Sequence, residues 1–244
     1  MADFESYARL RPHVYAGDEF LLPKLTEMVE TRSGRYLEVG AGDGGMLRML
    51  MQRDAMRSYA DIVAVDISSV RVQRLAQALP SIRAEVADAM DLPIESDSVE
   101  FVFSDQVIEH VPDDAKMAAE IARVLKTGGR ALVGSVVCAR GGWYFYRCNG
   151  GWRLDPTHLR EYRSLEQYCK VFSDAGLSVT GSFLRPLAYP ISDLMLRVLL
   201  RLRLVSEKTF LYSNEKFPIL RAALGVRLRI PQYFLCYAEL EKRP

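Results

Sequence analysis

Several features that would identify a membrane or secreted protein are missing from this chain of 244 residues. No stretch reaches the roughly 18 uncharged apolar residues that a membrane-spanning helix needs. The most apolar segment, residues 194–205, is interrupted by Arg197, Arg201 and Arg203. The N-terminus has no basic segment followed by an apolar run, so the sequence predicts no secretory signal. We therefore expect a cytoplasmic protein.

Redox, metal and nucleic-acid signatures are missing as well. The four cysteines include no Cys-x-x-Cys pair, and the three histidines do not complete a zinc pattern. We expect reduced thiols and no metal site. The 32 basic and 31 acidic residues almost cancel, and the sequence therefore predicts no nucleic-acid partner.

Strand and helix patterns alternate along the first half of the chain. The helical segments carry apolar residues at helical spacing, and short apolar runs separate them. This alternation predicts β-α-β units and an α/β fold with a doubly wound, mostly parallel sheet. The predicted strands are 35–39, 61–65, 84–86, 101–104, 130–137, 177–183 and 233–241.

A glycine-rich segment follows the first predicted strand. Gly40, Gly42 and Gly45 fit the pattern Gly-x-Gly-x-x-Gly. Glycines at this spacing let the chain turn sharply into a helix and approach a ligand closely. Nucleotide-binding oxidoreductases share the pattern, so the glycines alone leave NAD open as the cofactor.

Three carboxylates stand at the ends of successive predicted strands. Glu38 lies two residues before the first glycine, and a carboxylate on a buried strand needs a partner. That position is usually apolar in an NAD site. Asp66 ends the second strand, where it can accept both ribose hydroxyls, and Asp88 with the N–H of Ala89 can read an adenine edge. The series predicts a nucleoside cofactor, and Glu38 disfavours NAD.

Five segments of the chain carry motifs that occur together in one family. They are residues 37–44, 65–68, 87–93, 103–111 and 124–129. In their order and spacing they resemble the type-11 family of class I S-adenosylmethionine-dependent methyltransferases. Ala41 departs from the family pattern, which often has Cys or Ser there, but no group that the cofactor chemistry needs is lost.

The resemblance implies a seven-stranded Rossmann-like sheet with an antiparallel last strand. It also implies that the chain binds S-adenosylmethionine and releases S-adenosylhomocysteine. In the family, an acidic residue at the position of Glu38 faces the cationic methionine end of the cofactor. The residues implied to line the cofactor site are Glu38, Gly40, Ala41, Gly42, Asp66, Ile67, Asp88, Ala89, Asp105 and Val107.

Candidate residues for the methyl acceptor come from two later segments. Histidine is the side chain best suited to move a proton near neutral pH. His110 follows the fourth strand, and His158 lies in a segment that borders the acceptor pocket in similar enzymes. We predict both as catalytic residues, with a structural role as the alternative. The candidate acceptor-binding residues are Trp143, Trp152, Asp155 and Tyr162.

These observations predict O-methylation of a small-molecule, glycan or lipid-linked acceptor. One alternative is methylation of a quinone or another lipid ring. An alternative from another class is a catalytically silent scaffold that binds S-adenosylmethionine. The sequence leaves the oligomeric state open.

Two segments flank the alternating core of what we predict to be a single domain. Residues 1–34 are predicted as an N-terminal helical cap, and residues 185–231 as a helical insertion over the acceptor side. The insertion holds nine basic and three acidic residues and has apolar residues at helical spacing. A basic amphipathic helix can lie on an anionic membrane surface. The insertion is therefore predicted to be a lid, a dimer face or a peripheral membrane contact.

Overall fold

The computed structural model of the chain describes residues 5, 20–142, 146–148, 151–155, 157–190 and 227–244. These residues form five helices and nine strands. The helices are α1 (Leu21–Glu30), α2 (Gly45–Gln52), α3 (Ser69–Ala78), α4 (Asp114–Val124) and α5 (Leu165–Asp174). The strands are β1 (Gly34–Val39), β2 (Tyr59–Asp66), β3 (Arg83–Val86), β4 (Val99–Asp105), β5 (Leu125–Cys138), β6 (Tyr146–Cys148), β7 (Gly151–Arg153), β8 (Ser178–Pro190) and β9 (Arg227–Glu241).

Seven of these strands form one sheet in the order β3-β2-β1-β4-β5-β9-β8. Strands β1 to β5 pair in parallel, whereas β9 runs antiparallel to both β5 and β8. The predicted doubly wound sheet with an antiparallel last strand is thereby confirmed. The strand order reverses between β1 and β4, and ligands of such sheets bind beyond the carboxyl ends of the strands at that point.

Alternate side chains of the central strands enter two separate cores. Leu37 and Val39 of β1 pack in the core that also contains Met117 and Ile121 of α4. Tyr36 packs on the opposite face, in the core formed with α1 and α2. Because both faces of the sheet are covered, the central strands are apolar on both sides, as buried parallel strands are.

The two flanking segments differ in part from their prediction. Strand β8 runs to Pro190 and β9 begins at Arg227. The ends of the predicted helical insertion, residues 185–190 and 227–231, are therefore β-strand, and that part of the prediction is wrong. Residues 191–226, with the predicted cap and membrane contact, lie outside the described residues.

The N-terminal segment is described at α1 and at one earlier residue. The Glu5 carboxylate accepts hydrogen bonds from Ser69 N at 2.6 Å and from Ser68 Oγ at 3.3 Å, at the start of α3. A carboxylate is stabilised at a helix N-terminus by the exposed N–H groups and the helix dipole.

Among the described helices, none has the length and apolar character to cross a membrane.

Gly134 of β5 has no room for a side chain. A Cβ there would overlap Asp105 Oδ1 and lie 2.6 Å from Tyr237 Cε1. We expect Gly134→Ala to lower the free energy of unfolding by about 1–3 kcal/mol, because overpacking forces neighbouring groups to move. Chemical denaturation measures the change.

Gly181→Ala in β8 is the matched control for this substitution. Its Cβ would first meet the end of the Glu239 side chain, at 3.2 Å, and that flexible side chain can move. We expect a loss of no more than about 0.5 kcal/mol, typical of changes away from the core. Equal losses in the two variants would contradict the argument.

Candidate active site

The turn from β1 into α2 is fastened to the end of β2. Gly40 N and Ala41 N both donate to Val65 O, at 2.8 and 3.0 Å. Gly40 has a φ of 74°, and a Cβ on it would overlap Cγ2 of Val107 in the turn after β4. Position 40 therefore requires glycine for two reasons, its backbone conformation and the close approach of Val107.

Asp66 organises the same turn from the end of β2. Its Oδ2 accepts a hydrogen bond from Gly42 N at 2.9 Å, and its Oδ1 accepts one from Ser68 N at 2.9 Å. Each carboxylate oxygen can accept a second hydrogen bond, so the group retains capacity for ribose hydroxyls. The neighbouring Ile67 is 49% exposed and offers an apolar surface beside it.

Glu38 is a buried carboxyl group at the end of β1. It is 4% exposed, and Tyr36 Oη donates to its Oε2 at 3.1 Å. Burial raises the pKa of Glu38 to about 8, and the charge of Asp105 adds to this against the hydrogen bond from Tyr36. A positively charged ligand would favour the ionised form. Glu38 therefore suits the cationic methionine end of S-adenosylmethionine.

The ends of β3 and β4 complete this edge of the sheet. Asp88 is half-buried, and its Oδ1 accepts a hydrogen bond from Met90 N at 2.8 Å. Asp105 ends β4 and is followed by Gln106 in the left-handed conformation, with a φ of 58°. The predicted cofactor residues thus stand at the carboxyl ends of β1 to β4, together with a glycine turn that a side chain would fill.

A second group of residues lies in the turn after β4. The carbonyl of Glu109 accepts hydrogen bonds from Leu159 N at 2.9 Å and from Arg160 N at 3.3 Å. The Arg160 guanidinium also donates to the carbonyls of Ile108 and Pro112, at 2.9 and 2.6 Å. These bonds hold the segment that contains His158 against the turn that contains His110.

The two predicted histidines are in direct contact. Their ring centroids are 4.8 Å apart. His158 Nδ1 lies 3.0 Å from Glu161 Oε1, and Tyr233 Oη donates to Glu161 Oε2 at 2.8 Å. His110 Nδ1 lies 3.2 Å from the carbonyl oxygen of Thr157. The structure therefore brings both histidines together, each with one ring nitrogen engaged.

The surroundings shift the pKa values of the two histidines in opposite directions. Burial lowers the pKa of His110, and the nearby His158 lowers it further. Burial also acts to lower the pKa of His158, but the hydrogen bond to Glu161 and the charge of Glu109 outweigh it, so the pKa is raised. Paired groups with divergent pKa values are typical of acid–base sites.

The remaining predicted residues are less closely tied to this edge. Asp155 accepts hydrogen bonds from Thr157 N and Thr157 Oγ1, at 2.9 and 2.6 Å. Tyr162 is 3% exposed, and its hydroxyl donates to Asp114 Oδ2 at 2.9 Å. Trp152 lies in β7, and Trp143 lies outside the described residues. The assignment of these four residues to the acceptor stays a prediction.

Three residues of the network were missed by the sequence analysis. They are Glu109, Arg160 and Glu161. The segment 155–162 was singled out for its histidine. Pro112, which accepts from Arg160, and Tyr233, which donates to Glu161, are 48 and 72 residues away from these residues in the chain. Only the spacing of Glu161 three residues after His158 was a local signal for their contact.

Comparison with known proteins identifies the family. Residues 37–133 match the model of the type-11 methyltransferase domain. Over these residues, about two fifths of the chain, the sequence matches the type-11 family of class I, S-adenosylmethionine-dependent methyltransferases. The match confirms the predicted family and S-adenosylmethionine as its cofactor.

Relatives agree with this assignment. A tocopherol O-methyltransferase of Arabidopsis thaliana is 34% identical over 60% of this chain and 40% of its own length. A 27-O-demethylrifamycin SV methyltransferase of Amycolatopsis mediterranei is 28% identical over 64% of this chain and 59% of its own length. The chain thus matches less than two thirds of the length of these curated relatives.

The fold also agrees with a solved structure. Phosphoethanolamine N-methyltransferase 2 of Haemonchus contortus, in complex with S-adenosyl-L-methionine, superposes with a TM-score of 0.63. The two are 16% identical, and the match covers 98% of this chain and 56% of the other. At this identity the likeness shows the fold alone.

Asp66 at the end of β2 and Asp43 in the turn after β1 can be compared directly as cofactor-binding residues. If Asp66 binds the ribose as predicted, Asp66→Ala should weaken the binding of S-adenosylhomocysteine by on the order of 1–3 kcal/mol, because those hydrogen bonds and the one from Gly42 N are lost. Asp43 lies in the same turn, and its Oδ2 is 3.8 Å from the guanidinium of Arg74. Asp43→Ala should weaken the binding of S-adenosylhomocysteine much less. Calorimetry measures both, and equal affinities for the wild type and Asp66→Ala would refute the role.

The raised pKa of Glu38 predicts how stability depends on pH. In the unfolded chain Glu38 ionises near pH 4.5, whereas in the folded protein it holds its proton up to about pH 8. Relative to Glu38→Gln, the wild type should therefore lose stability between these values, by at most about 1.4 kcal/mol per pH unit. Denaturation curves from pH 5 to 9 measure this loss. Parallel curves for the two proteins would show that Glu38 is ionised in the fold.

Proposed function

We propose that the chain transfers a methyl group from S-adenosylmethionine to a hydroxyl oxygen of a small-molecule, glycan or lipid-linked acceptor. The observation that carries the proposal is the turn after β4. Val107 of this turn lies against Gly40 of the cofactor turn, and His110 N donates to Val107 O at 2.8 Å. One short turn therefore connects the cofactor residues to the histidine pair.

When bound, S-adenosylmethionine supplies a methyl group on a cationic sulfur. Glu38 would face the positive charge of its methionine end, and Asp66 would hold its ribose. Alignment of the acceptor oxygen opposite the sulfur is the main task that remains for the protein. An oxygen nucleophile must also lose its proton, which a nearby base accepts.

His158 is the residue best placed to take that proton. Its Nδ1 is hydrogen-bonded to Glu161, so a proton from the acceptor would go to Nε2. Glu161 would then stabilise the imidazolium, and it is itself held by Tyr233 Oη and by Leu154 N, which donates at 2.6 Å. This arrangement orients the ring in the way that a carboxylate orients a catalytic histidine.

A phenolic ring of a lipid is the second candidate acceptor. The similarity to a tocopherol O-methyltransferase favours it, since that relative is named for such an acceptor. The near-balance of 32 basic and 31 acidic residues gives no reason to propose a nucleic-acid acceptor.

Release of S-adenosylhomocysteine tests the proposal. The assay uses a panel of phenols, quinols, sugars and lipid-linked hydroxyl compounds, each with S-adenosylmethionine. Turnover on at least one hydroxyl acceptor is expected. Tight binding of S-adenosylhomocysteine without turnover on any of them would instead indicate a catalytically silent scaffold.

His158→Ala tests the role of the base. With an active acceptor, turnover should fall by roughly 100-fold or more, while the affinity for S-adenosylhomocysteine stays the same. His13→Ala, which removes the histidine outside both segments, is the control. Full activity in His158→Ala would remove His158 from the mechanism and direct attention to His110.

A further inference from the structure

Glu109, His110 and His158 form a compact cluster of three potential metal ligands. One ligand atom of each lies within 4.8 Å of those of the other two. The sequence pattern gives no sign of this cluster, because two of its members are adjacent in the chain and the third is 48 residues further on. The hydrogen bonds from the 159–160 backbone to the Glu109 carbonyl bring them together.

Glu109 has an incompletely satisfied carboxylate in the interior. Its exposure is 0%, and Ser135 Oγ donates to its Oε2 at 2.8 Å. Its Oε1 is also buried and has no hydrogen-bond partner among the described residues. A buried carboxylate oxygen without a partner is costly, and a cation beside it would remove that cost.

The hydrogen bonds of the two histidines leave a lone pair on each ring. The carboxylate of Glu161 accepts from His158 Nδ1, so the proton lies on Nδ1 and Nε2 is left as a ligand atom. Nδ1 of His110 lies 3.2 Å from the carbonyl oxygen of Thr157, which can only accept, and 3.1 Å from the hydroxyl of the same residue. That hydroxyl donates to Asp155 at 2.6 Å and so acts as an acceptor toward His110. The proton of His110 therefore lies on Nδ1 as well, and the lone pair of the ring lies on Nε2.

We propose that Glu109, His110 and His158 bind a divalent transition-metal ion such as Zn²⁺ or Fe²⁺. Two imidazoles and one carboxylate are the protein ligands of many catalytic zinc and iron sites, which keep further positions open. Two imidazole donors make Mg²⁺ and Ca²⁺ poor occupants, because these ions prefer oxygen. His110 is half-buried, so the cluster is not sealed from solvent.

The groups around the cluster match the outer shell of known metal sites. A metal-binding histidine usually donates its second ring N–H to a carboxylate or a backbone carbonyl. Glu161 and the Thr157 carbonyl supply one acceptor of each kind. Glu161 is itself fixed by hydrogen bonds from Tyr233 and Leu154. Its contact with Nδ1 therefore fixes the orientation of the His158 ring.

Metal binding here does not depend on methyl transfer. Its consequence for catalysis does rest on the proposed function: a bound ion would polarise an acceptor hydroxyl and lower its pKa. The histidines would then act as ligands and not as bases. Loss of turnover in His158→Ala fits either role, so only a measurement of the metal separates them.

Cobalt binding by the full chain is the test. The protein is treated with a chelator, dialysed and titrated with Co²⁺, whose visible absorption reports nitrogen and oxygen ligation, and Zn²⁺ is then added as a competitor. We expect one ion per chain. Glu109→Gln and His158→Asn should each weaken binding by more than about 100-fold, and Glu161→Gln, which alters only the outer shell, by about 10–100-fold.

His13→Asn is the control for the loss of one imidazole, and it should bind Co²⁺ as the wild type does. Binding of S-adenosylhomocysteine shows that each variant is folded. If both ligand variants fail to fold, the spectrum of the wild type and the effect of Glu161→Gln decide the question.

Three results would overturn the site. They are absence of Co²⁺ binding by the wild type, equal weakening in His13→Asn, and a cobalt–thiolate absorption band, which would place the ion on cysteines. Metal binding without release of S-adenosylhomocysteine on any acceptor would leave the site intact and reject the proposed function. Turnover that persists in a chelator would leave the proposed function intact and reject a role of the ion in catalysis.

Discussion

The approach of Gly40 to Val107 is the contact on which both halves of the site depend. It occurs where the strand order reverses, so the turns after β1 and β4 leave the sheet side by side. With no side chain at position 40, the turn after β4 lies directly against the cofactor turn. The same turn carries Glu109 and His110, and their distance from the cofactor residues is therefore set by this one contact.

Arg160 connects the turn after β4 to the segment that contains His158. Its guanidinium donates to the carbonyls of Ile108 and Pro112, and its backbone N–H donates to Glu109. These carbonyl groups lie in the turn after β4, outside the sheet, so they need donors from elsewhere. By supplying them, Arg160 also brings His158 to His110. The two histidines are therefore brought together by hydrogen bonds to backbone carbonyl groups.

Features set by neighbouring residues could be predicted from the sequence, and features set by distant partners could not. The strands β1 to β4, the glycine turn and the carboxylates after the strands are all local patterns, and the structure places them at one edge. Pro186, Pro190 and Pro231 are strand breakers, and with them β8 and β9 could not be predicted at full length. Edge strands and bulges tolerate proline: β8 is an edge strand, and the pairing of β8 with β9 shifts register between Pro186 and Ala188.

Three buried glutamates show how contacts between residues distant in the chain determine the chemistry of the site. Glu161 has donors for both oxygens, from Leu154 N, His158 and Tyr233. Glu38 has one donor, and burial keeps it protonated to about pH 8. Glu109 has one donor for one oxygen. Glu161 is satisfied by the fold, whereas Glu38 and Glu109 keep capacity for positive charge on either side of the Gly40–Val107 contact. In the two proposals made above, Glu38 would face the cationic cofactor and Glu109 would hold a metal ion, so each of these carboxylates would meet a positive charge that the fold itself does not supply.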